Sequence, residues 1–127
     1  MEHLTPKETA KFLDDNPKAL FIDCRSEMEF LFVGHPKDCL HVSWNDGPDW
    51  EVNPHFVGEV KKLAGHAHDR PVVIICRSGN RSVDAGNALE AAGFERVYNV
   101  LHGFEGELDD DHHRGADQPE HRFPQVA

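Results

Sequence analysis

The sequence predicts an α/β domain of three layers, in which a small central parallel sheet carries helices on both faces. Residues 19–22 and 72–75 are short apolar runs with the composition of buried strands, and residues 72–75 are β-branched throughout. Residues 39–42 and 97–101 predict two further short strands. Helical segments separate these runs, which is the order expected of parallel strands joined by crossover helices. We therefore expect residues 72–75 to form a central, fully buried strand.

Each predicted helix has a recognisable start. Thr5 and Ser26 are both followed three residues later by Glu, which is the pattern of a capping box. Asn53-Pro54 predicts the start of a third helix, and Ser82 is a candidate N-cap for a fourth that ends at Gly93. The four predicted helices and four predicted strands thus alternate along the chain.

The bulk properties restrict the class of protein. The chain has 127 residues, enough for one hydrophobic core, and we assign residues 1–108 to the domain and residues 109–127 to an acidic, His-containing tail. No apolar run approaches the roughly 20 residues of a membrane span, and the N-terminus has no signal-peptide pattern, so we expect a cytoplasmic protein. A formal net charge of −10 argues against nucleic acid as a partner.

The clearest candidate for chemistry is the loop Cys76-Arg77-Ser78-Gly79-Asn80-Arg81-Ser82, which follows the most apolar strand and leads into a helix. Ligands of open α/β sheets bind beyond the carboxyl ends of strands, and the amides of a helix N-terminus attract anions. Together with two arginines, this setting predicts a Cys76 pKa well below the free value of about 8.5. Cys76 is therefore a candidate nucleophile.

The other two cysteines carry weaker signals. Cys24 and Cys39 lack a glycine-containing, arginine-rich loop, so we interpret Cys24 as a core residue and Cys39 as incidental. Without a signal peptide, all three cysteines are expected to be free thiols in a reducing compartment. Cys24 or Cys39 could act as a resolving thiol only if the fold brings it close to Cys76.

The loop that begins at Cys76 resembles the active-site loop of rhodanese homology domains. The upstream segment Asp23-Cys24-Arg25-Ser26-Glu27-Met28-Glu29-Phe30, followed by Gly34-His35-Pro36, resembles a second motif of that family. The resemblance extends from about residue 4 to residue 106. It departs after the last strand, where Gly103-Phe104-Glu105-Gly106 replaces the usual glycine and tryptophan pattern.

The resemblance implies a sulfurtransferase that needs no cofactor and no metal. Cys76 would take the outer sulfur of thiosulfate, or of a similar small anion, and pass it to a thiol, cyanide or protein acceptor. The backbone from Arg77 to Arg81 would bind the anion, with Arg77 recruiting it and Arg81 assisting. Asp23 and Arg25 would be supporting residues that order the strand end, with Arg25 a candidate partner for Glu29; an ordinary surface ion pair is the alternative.

Three other interpretations remain open from the sequence. Phosphatases and arsenate reductases of similar fold use a Cys-x5-Arg loop, but only four residues separate Cys76 from Arg81, so a tetrahedral oxyanion fits poorly. A non-catalytic persulfide relay or protein-binding domain is the second alternative, with Trp44, Trp50 and Phe56 as candidate contacts. Metal binding by the histidines of the tail is the third, and it lacks the spacing of a preorganised site.

Overall fold

The computed structural model describes residues 1–36, 38–45, 50–76, 80–101 and 125–126, with backbone alone at positions 33, 80, 125 and 126. The strands are β1 (Glu2–Leu4), β2 (Leu20–Asp23), β3 (His35–Pro36), β4 (Leu40–His41), β5 (Val72–Ile75), β6 (Val97–Val100) and β7 (Gln125–Val126). The helices are α1 (Pro6–Asp15), α2 (Phe56–Leu63) and α3 (Asn80–Ala91), and a π-helical turn spans Glu29–Val33.

The main sheet of the described chain has the strand order β1-β6-β5-β2-β4, and every pair in it is parallel. Helices α2 and α3 cover one face through Phe56, Val60, Ala85 and Leu89, which share a buried cluster with alternate residues of β2 and β5. Helix α1 covers the other face. The predicted three-layer α/β architecture, with β5 at its centre, is therefore confirmed.

The register of β2 and β5 decides which side chains meet at the carboxyl edge of the sheet. Leu20 is paired with Val72, and three rungs later Asp23 is paired with Ile75. Both strands are buried along their whole length, so they cannot slip by one residue without turning their apolar side chains to the opposite layers. The next residue of each chain segment is a cysteine, Cys24 or Cys76.

The structure corrects several predicted boundaries. Strand β1 was not predicted, because its three residues extend the sheet only by pairing with β6. The helix expected at Asn53-Pro54 begins at Phe56, because Asn53 Oδ1 accepts from the His55 amide and closes a turn before the helix. Helix α3 begins at Asn80, so Ser82 lies within its first turn and is not its N-cap.

The two predicted capping boxes are present. Thr5 Oγ1 accepts from the Glu8 amide at 3.1 Å and the Glu8 carboxylate accepts from the Thr5 amide at 3.0 Å, which also lowers the pKa of Glu8. Ser26 and Glu29 form the second box, but it opens a π-helical turn and not an α-helix. The described parts of the chain include no helix long and apolar enough to cross a membrane.

The C-terminal tail is represented only by β7, which pairs antiparallel with β3. The rest of the predicted acidic, His-containing tail lies outside the described residues.

We predict that Thr5→Ala lowers the free energy of unfolding by about 1 kcal/mol, because it removes the hydroxyl that caps α1. Urea denaturation followed by circular dichroism measures this change. Lys7→Ala, at an exposed position of the same helix, is the matched control, and an equal effect of the two substitutions would contradict the capping role.

Candidate active site

Cys76 is the first residue after β5, and its side chain lies in the packed core with 1% of the residue surface exposed. Its Sγ is 3.3 Å from the hydroxyl oxygen of Ser82 on α3. The end of the central strand and the first turn of α3 therefore meet at this sulfur.

A buried chain of polar groups continues from Cys76 across the sheet. The Ser82 hydroxyl donates to Asn99 Oδ1 on β6, and Asn99 Nδ2 lies 3.0 Å from Nδ1 of the exposed His3. The single hydroxyl proton of Ser82 is directed to Asn99, so Cys76 is the donor in its contact with Ser82. If Cys76 ionises, the Ser82 hydroxyl must turn towards the sulfur to donate to it.

Asp23 and Arg25 form a fully buried ion pair at the end of β2. Arg25 Nη2 donates to Asp23 Oδ2 at 2.7 Å, Arg25 Nε donates to the same carboxylate, and a further donation from Nη2 reaches the carbonyl of Gly34. The backbone amide of Arg25 also donates to Asp23 Oδ1. The pair thus orders the segment after β2, and the alternative of an ordinary surface ion pair is wrong.

The expected pairing of Arg25 with Glu29 is also wrong, because Glu29 pairs with Arg81. Two parallel contacts join the Arg81 guanidinium to the Glu29 carboxylate, at 2.7 and 2.9 Å. This ion pair ties the first turn of α3 to the π-helical turn. Its geometry is the bidentate fork that arginine forms with carboxylates, so the Arg81 guanidinium is engaged within the protein.

The electrostatic consequences of this pair are strong. Burial alone would raise the pKa of Glu29, but hydrogen bonds and charge from Arg81, helped by Ser26, outweigh it and lower the pKa to about 2. The same hydrogen bonds, opposed by burial, raise the pKa of Arg81. Both groups therefore stay charged at neutral pH.

Cys24 lies beside Cys76, whereas Cys39 does not. Cys24 is fully buried, as predicted, and it lies near enough to Cys76 for that thiol to influence its pKa. Burial is the main cause that raises the pKa of Cys24 well above its ordinary value, and the contact with Cys76 adds to it. Cys39 packs against the cluster on the opposite face of the sheet, and burial raises its pKa to about 12.

The structure describes only some of the remaining predicted site residues. Arg77, Ser78 and Gly79 lie outside the described residues, as does the side chain of Asn80, so their anion-binding roles stay predictions. Ser82 is brought to Cys76. The structure thus brings Cys76 and Ser82 together, and it pairs Arg81 with Glu29.

Among the aromatic candidates, Trp44 and Phe56 pack edge to face in the core, with ring centroids 5.3 Å apart, whereas Trp50 is exposed. His35 stacks on Phe30. His102 lies outside the described residues. In the part of the chain that is described, no three His, Cys, Asp or Glu side chains are grouped to hold a metal ion.

Sequence reasoning missed two residues of this site. Glu29 was identified as a capping residue, a member of a motif and a candidate partner for Arg25, but not as the partner of Arg81, because that ion pair spans 52 positions. Asn99 stands within the apolar run Val97–Val100, and a polar residue in a buried strand signals a hydrogen-bonded partner in the core. That signal identifies a buried contact but not the partner.

We predict that the ion pair stabilises the fold above pH 4.5 and that this contribution disappears as the pH falls towards 2. The reason is that Glu29 has a folded pKa of about 2, below its ordinary value of 4.5, so protonation favours the unfolded chain. Glu29→Gln keeps the capping geometry but removes the charge, and it should lower stability at pH 6 by about 1–2 kcal/mol after solvent screening.

Urea titrations at a series of pH values test this. The loss of stability between pH 4.5 and 2 should be shallower in Glu29→Gln than in the wild type. Glu51→Gln, which alters an exposed carboxylate, should keep the wild-type slope. Parallel slopes for the wild type and Glu29→Gln would show that Arg81 does not stabilise the ionised carboxylate.

Comparison with known proteins agrees with this geometry. A family model of the rhodanese-like domain matches residues 5–108. The crystal structure of Rv0390 from M. tuberculosis is 39% identical in sequence, with a TM-score of 0.78 and coverage of 91% of this chain and 89% of that chain. The polysulfide-sulfur transferase homodimer from Wolinella succinogenes is 28% identical, with a TM-score of 0.64 and coverage of 90% and 77%.

A thiosulfate sulfurtransferase, GlpE of Actinobacillus pleuropneumoniae, is 31% identical over 74% of this chain and 75% of that protein. The family match, the relatives and the strand order with Cys76 at the end of the central strand point to the same assignment. This chain belongs to the rhodanese-like domain family.

Proposed function

We propose that this chain is a sulfurtransferase that carries sulfane sulfur as a persulfide on Cys76. The observation that supports it most is the position of Cys76, between the end of β5 and the first turn of α3, in a chain whose relatives include proteins named thiosulfate sulfurtransferases. Thiosulfate, or a persulfide of similar size and charge, is the proposed donor. A small thiol, cyanide or a protein thiol is the proposed acceptor.

In the first half of the reaction, the Cys76 thiolate attacks the outer sulfur of thiosulfate. The sulfur–sulfur bond of the donor breaks, sulfite leaves with the bonding electron pair, and the sulfane sulfur remains on Cys76 as a persulfide. Ser82 is placed to assist, because its hydroxyl oxygen is 3.3 Å from the sulfur and can turn to donate to the ionised form.

In the second half, the acceptor attacks the outer sulfur of the persulfide. The new bond forms between the acceptor and the sulfane sulfur, and Cys76 leaves as a thiolate, ready for another donor. No oxidant, metal or cofactor enters this cycle. Free thiols persist in a reducing compartment, so we place the reaction in the cytoplasm.

The engagement of Arg81 changes how the anion would be held. Because its guanidinium is paired with Glu29, we assign the recruitment of the anion to Arg77 and to the loop amides, and we assign to Arg81 the fixing of α3 against the π-helical turn. The first-turn amides of α3 and its dipole add favourable partial charge. Negative charges more than about 10 Å from the site are largely screened, so this local positive charge can attract an anion although the net charge of the chain is −10.

The burial of Cys76 places a requirement on this function. With 1% of its surface exposed, the residue must become accessible before the donor can react. Cys76 itself is held at the end of β5 by the sheet and by its contact with Ser82. Reaction with thiosulfate under native conditions is therefore the direct test.

We predict that the native protein, after exposure to thiosulfate, gains the mass of one sulfur atom on Cys76, because the thiolate accepts the outer sulfur of the donor. Intact-mass and peptide mass spectrometry measure the gain. Prompt addition of cyanide should remove the sulfur as thiocyanate.

Cys76→Ser should gain no sulfur, whereas Cys39→Ala, which removes the thiol on the opposite face of the sheet, should gain it fully. Sulfur found on Cys39, or an unchanged gain in Cys76→Ser, would refute the assignment of the nucleophile. Faster turnover of an aryl phosphate than of thiosulfate would instead favour the phosphatase alternative.

A further inference from the structure

Cys24 is a buried nucleophilic group that the proposed sulfur transfer does not use. It comes directly after β2 as Cys76 comes directly after β5, and its amide donates to the carbonyl of Ile75 at 2.9 Å. The two cysteines are therefore the next rung of a parallel ladder whose last named pair is Asp23 with Ile75. Their backbone positions are fixed by the sheet.

The two side chains lie on the same face of the sheet. Both belong to the cluster that α2 and α3 cover, in which β2 and β5 contribute every second residue. Adjacent strands are about 4.8 Å apart, within the Cα separation of roughly 4.4–6.8 Å that a disulfide spans. A bond between the two sulfurs thus requires rotation of side chains and no rearrangement of the sheet.

Cys39 provides the contrast within the same chain. It is a free thiol of intermediate burial, but it packs against the buried cluster on the face that α1 covers. The sheet itself separates Cys39 from Cys76. Of the three cysteines, Cys24 is the one that the fold has placed against the candidate nucleophile.

We infer that Cys24 is the resolving thiol of the Cys76 persulfide, which it converts to a Cys24–Cys76 disulfide with release of hydrosulfide. This inference rests on the proposed function, because it requires sulfane sulfur on Cys76. It adds a second outcome to the cycle. Sulfur goes to an external acceptor when one is present and leaves as sulfide when none is.

The step balances without an external oxidant. Cys24 loses its proton and its sulfur attacks Sγ of Cys76, its neighbour across the parallel ladder. The bond between Cys76 Sγ and the outer sulfur breaks, and the outer sulfur leaves with the electron pair as hydrosulfide, which takes up the proton. The sulfane sulfur is reduced and the two cysteine sulfurs are oxidised to a disulfide, which an external dithiol returns to the free thiols.

The burial of Cys24 explains why resolution would not outrun transfer. Burial, followed by the contact with Cys76, raises the pKa of Cys24, so little of it is thiolate at neutral pH. Because the thiolate is the attacking species, a persulfide on Cys76 would survive long enough to meet an acceptor. Hydrosulfide is also a better leaving group than an alkyl thiolate, which drives the step towards the disulfide.

The experiment follows the persulfide in the absence of an acceptor. Wild type, Cys24→Ala and Cys39→Ala are loaded with thiosulfate, freed of donor, and sampled over time by intact-mass spectrometry and a sulfide assay. We expect the wild type and Cys39→Ala to lose the added sulfur, release one equivalent of sulfide and form a Cys24–Cys76 linked peptide. Cys24→Ala should keep its persulfide at least about tenfold longer and release sulfide correspondingly more slowly than the wild type.

Equal persulfide lifetimes in the wild type and Cys24→Ala, with no linked peptide, would overturn the inference. Cys24→Ser is a second variant of nearly the same size, and thermal unfolding checks that either variant is folded. If thiosulfate loads no variant, the proposed function fails, and loading with inorganic polysulfide then tests the resolving step by itself. If neither donor adds sulfur to Cys76 in any variant, both proposals are wrong.

Discussion

The parallel pairing of β2 with β5 is the constraint on which the rest of the site depends. Both strands are buried on both faces, so their apolar residues set the register, and the register sets which residues meet at the carboxyl edge. Asp23 and Ile75 form the last named pair, and the two cysteines come next. A shift of either strand by one residue would move its cysteine, but it would also turn the apolar side chains of that strand to the opposite layers.

Around that edge, several buried polar groups are paired with one another. Asp23 is saturated by the backbone and side chain of Arg25, whose guanidinium also holds the carbonyl of Gly34. Ser82 and Asn99 satisfy each other across α3 and β6. Breaking either arrangement would leave a buried charge or dipole without its partner, which costs far more than the net value of the contact. The polar groups therefore hold the ends of β2, β5 and β6 in place around the sulfur.

The two ion pairs of this region have different roles. The Asp23–Arg25 pair is local and orders the chain directly after β2, whereas the Glu29–Arg81 pair joins elements that are far apart in sequence. An arginine that follows a nucleophilic cysteine by a few residues suggests an anion ligand, yet here its guanidinium is held by a carboxylate. The anion-attracting part of the proposed site is thereby reduced to Arg77, the loop amides and the start of α3.

Much of this protein could be predicted from its sequence, because the signals involved are local. The β-branched run of β5, the capping boxes at Thr5 and Ser26, and the position of Cys76 between a strand and a helix are all indicated by patterns within a few residues. The same locality explains the errors. The three residues of β1 are a strand only because β6 pairs with them, and α3 begins two residues before its predicted cap.

The tertiary structure alone decided which distant groups meet. The partners of Arg81, Cys76 and Asn99 come from other elements, and no periodicity or composition records a contact made across 52 residues, as between Glu29 and Arg81. The sequence determined that a cysteine, the candidate nucleophile, would stand at the end of a central strand. The packing of the sheet determined that a second thiol would stand against it, because strand register is a property of the whole core and not of any one segment.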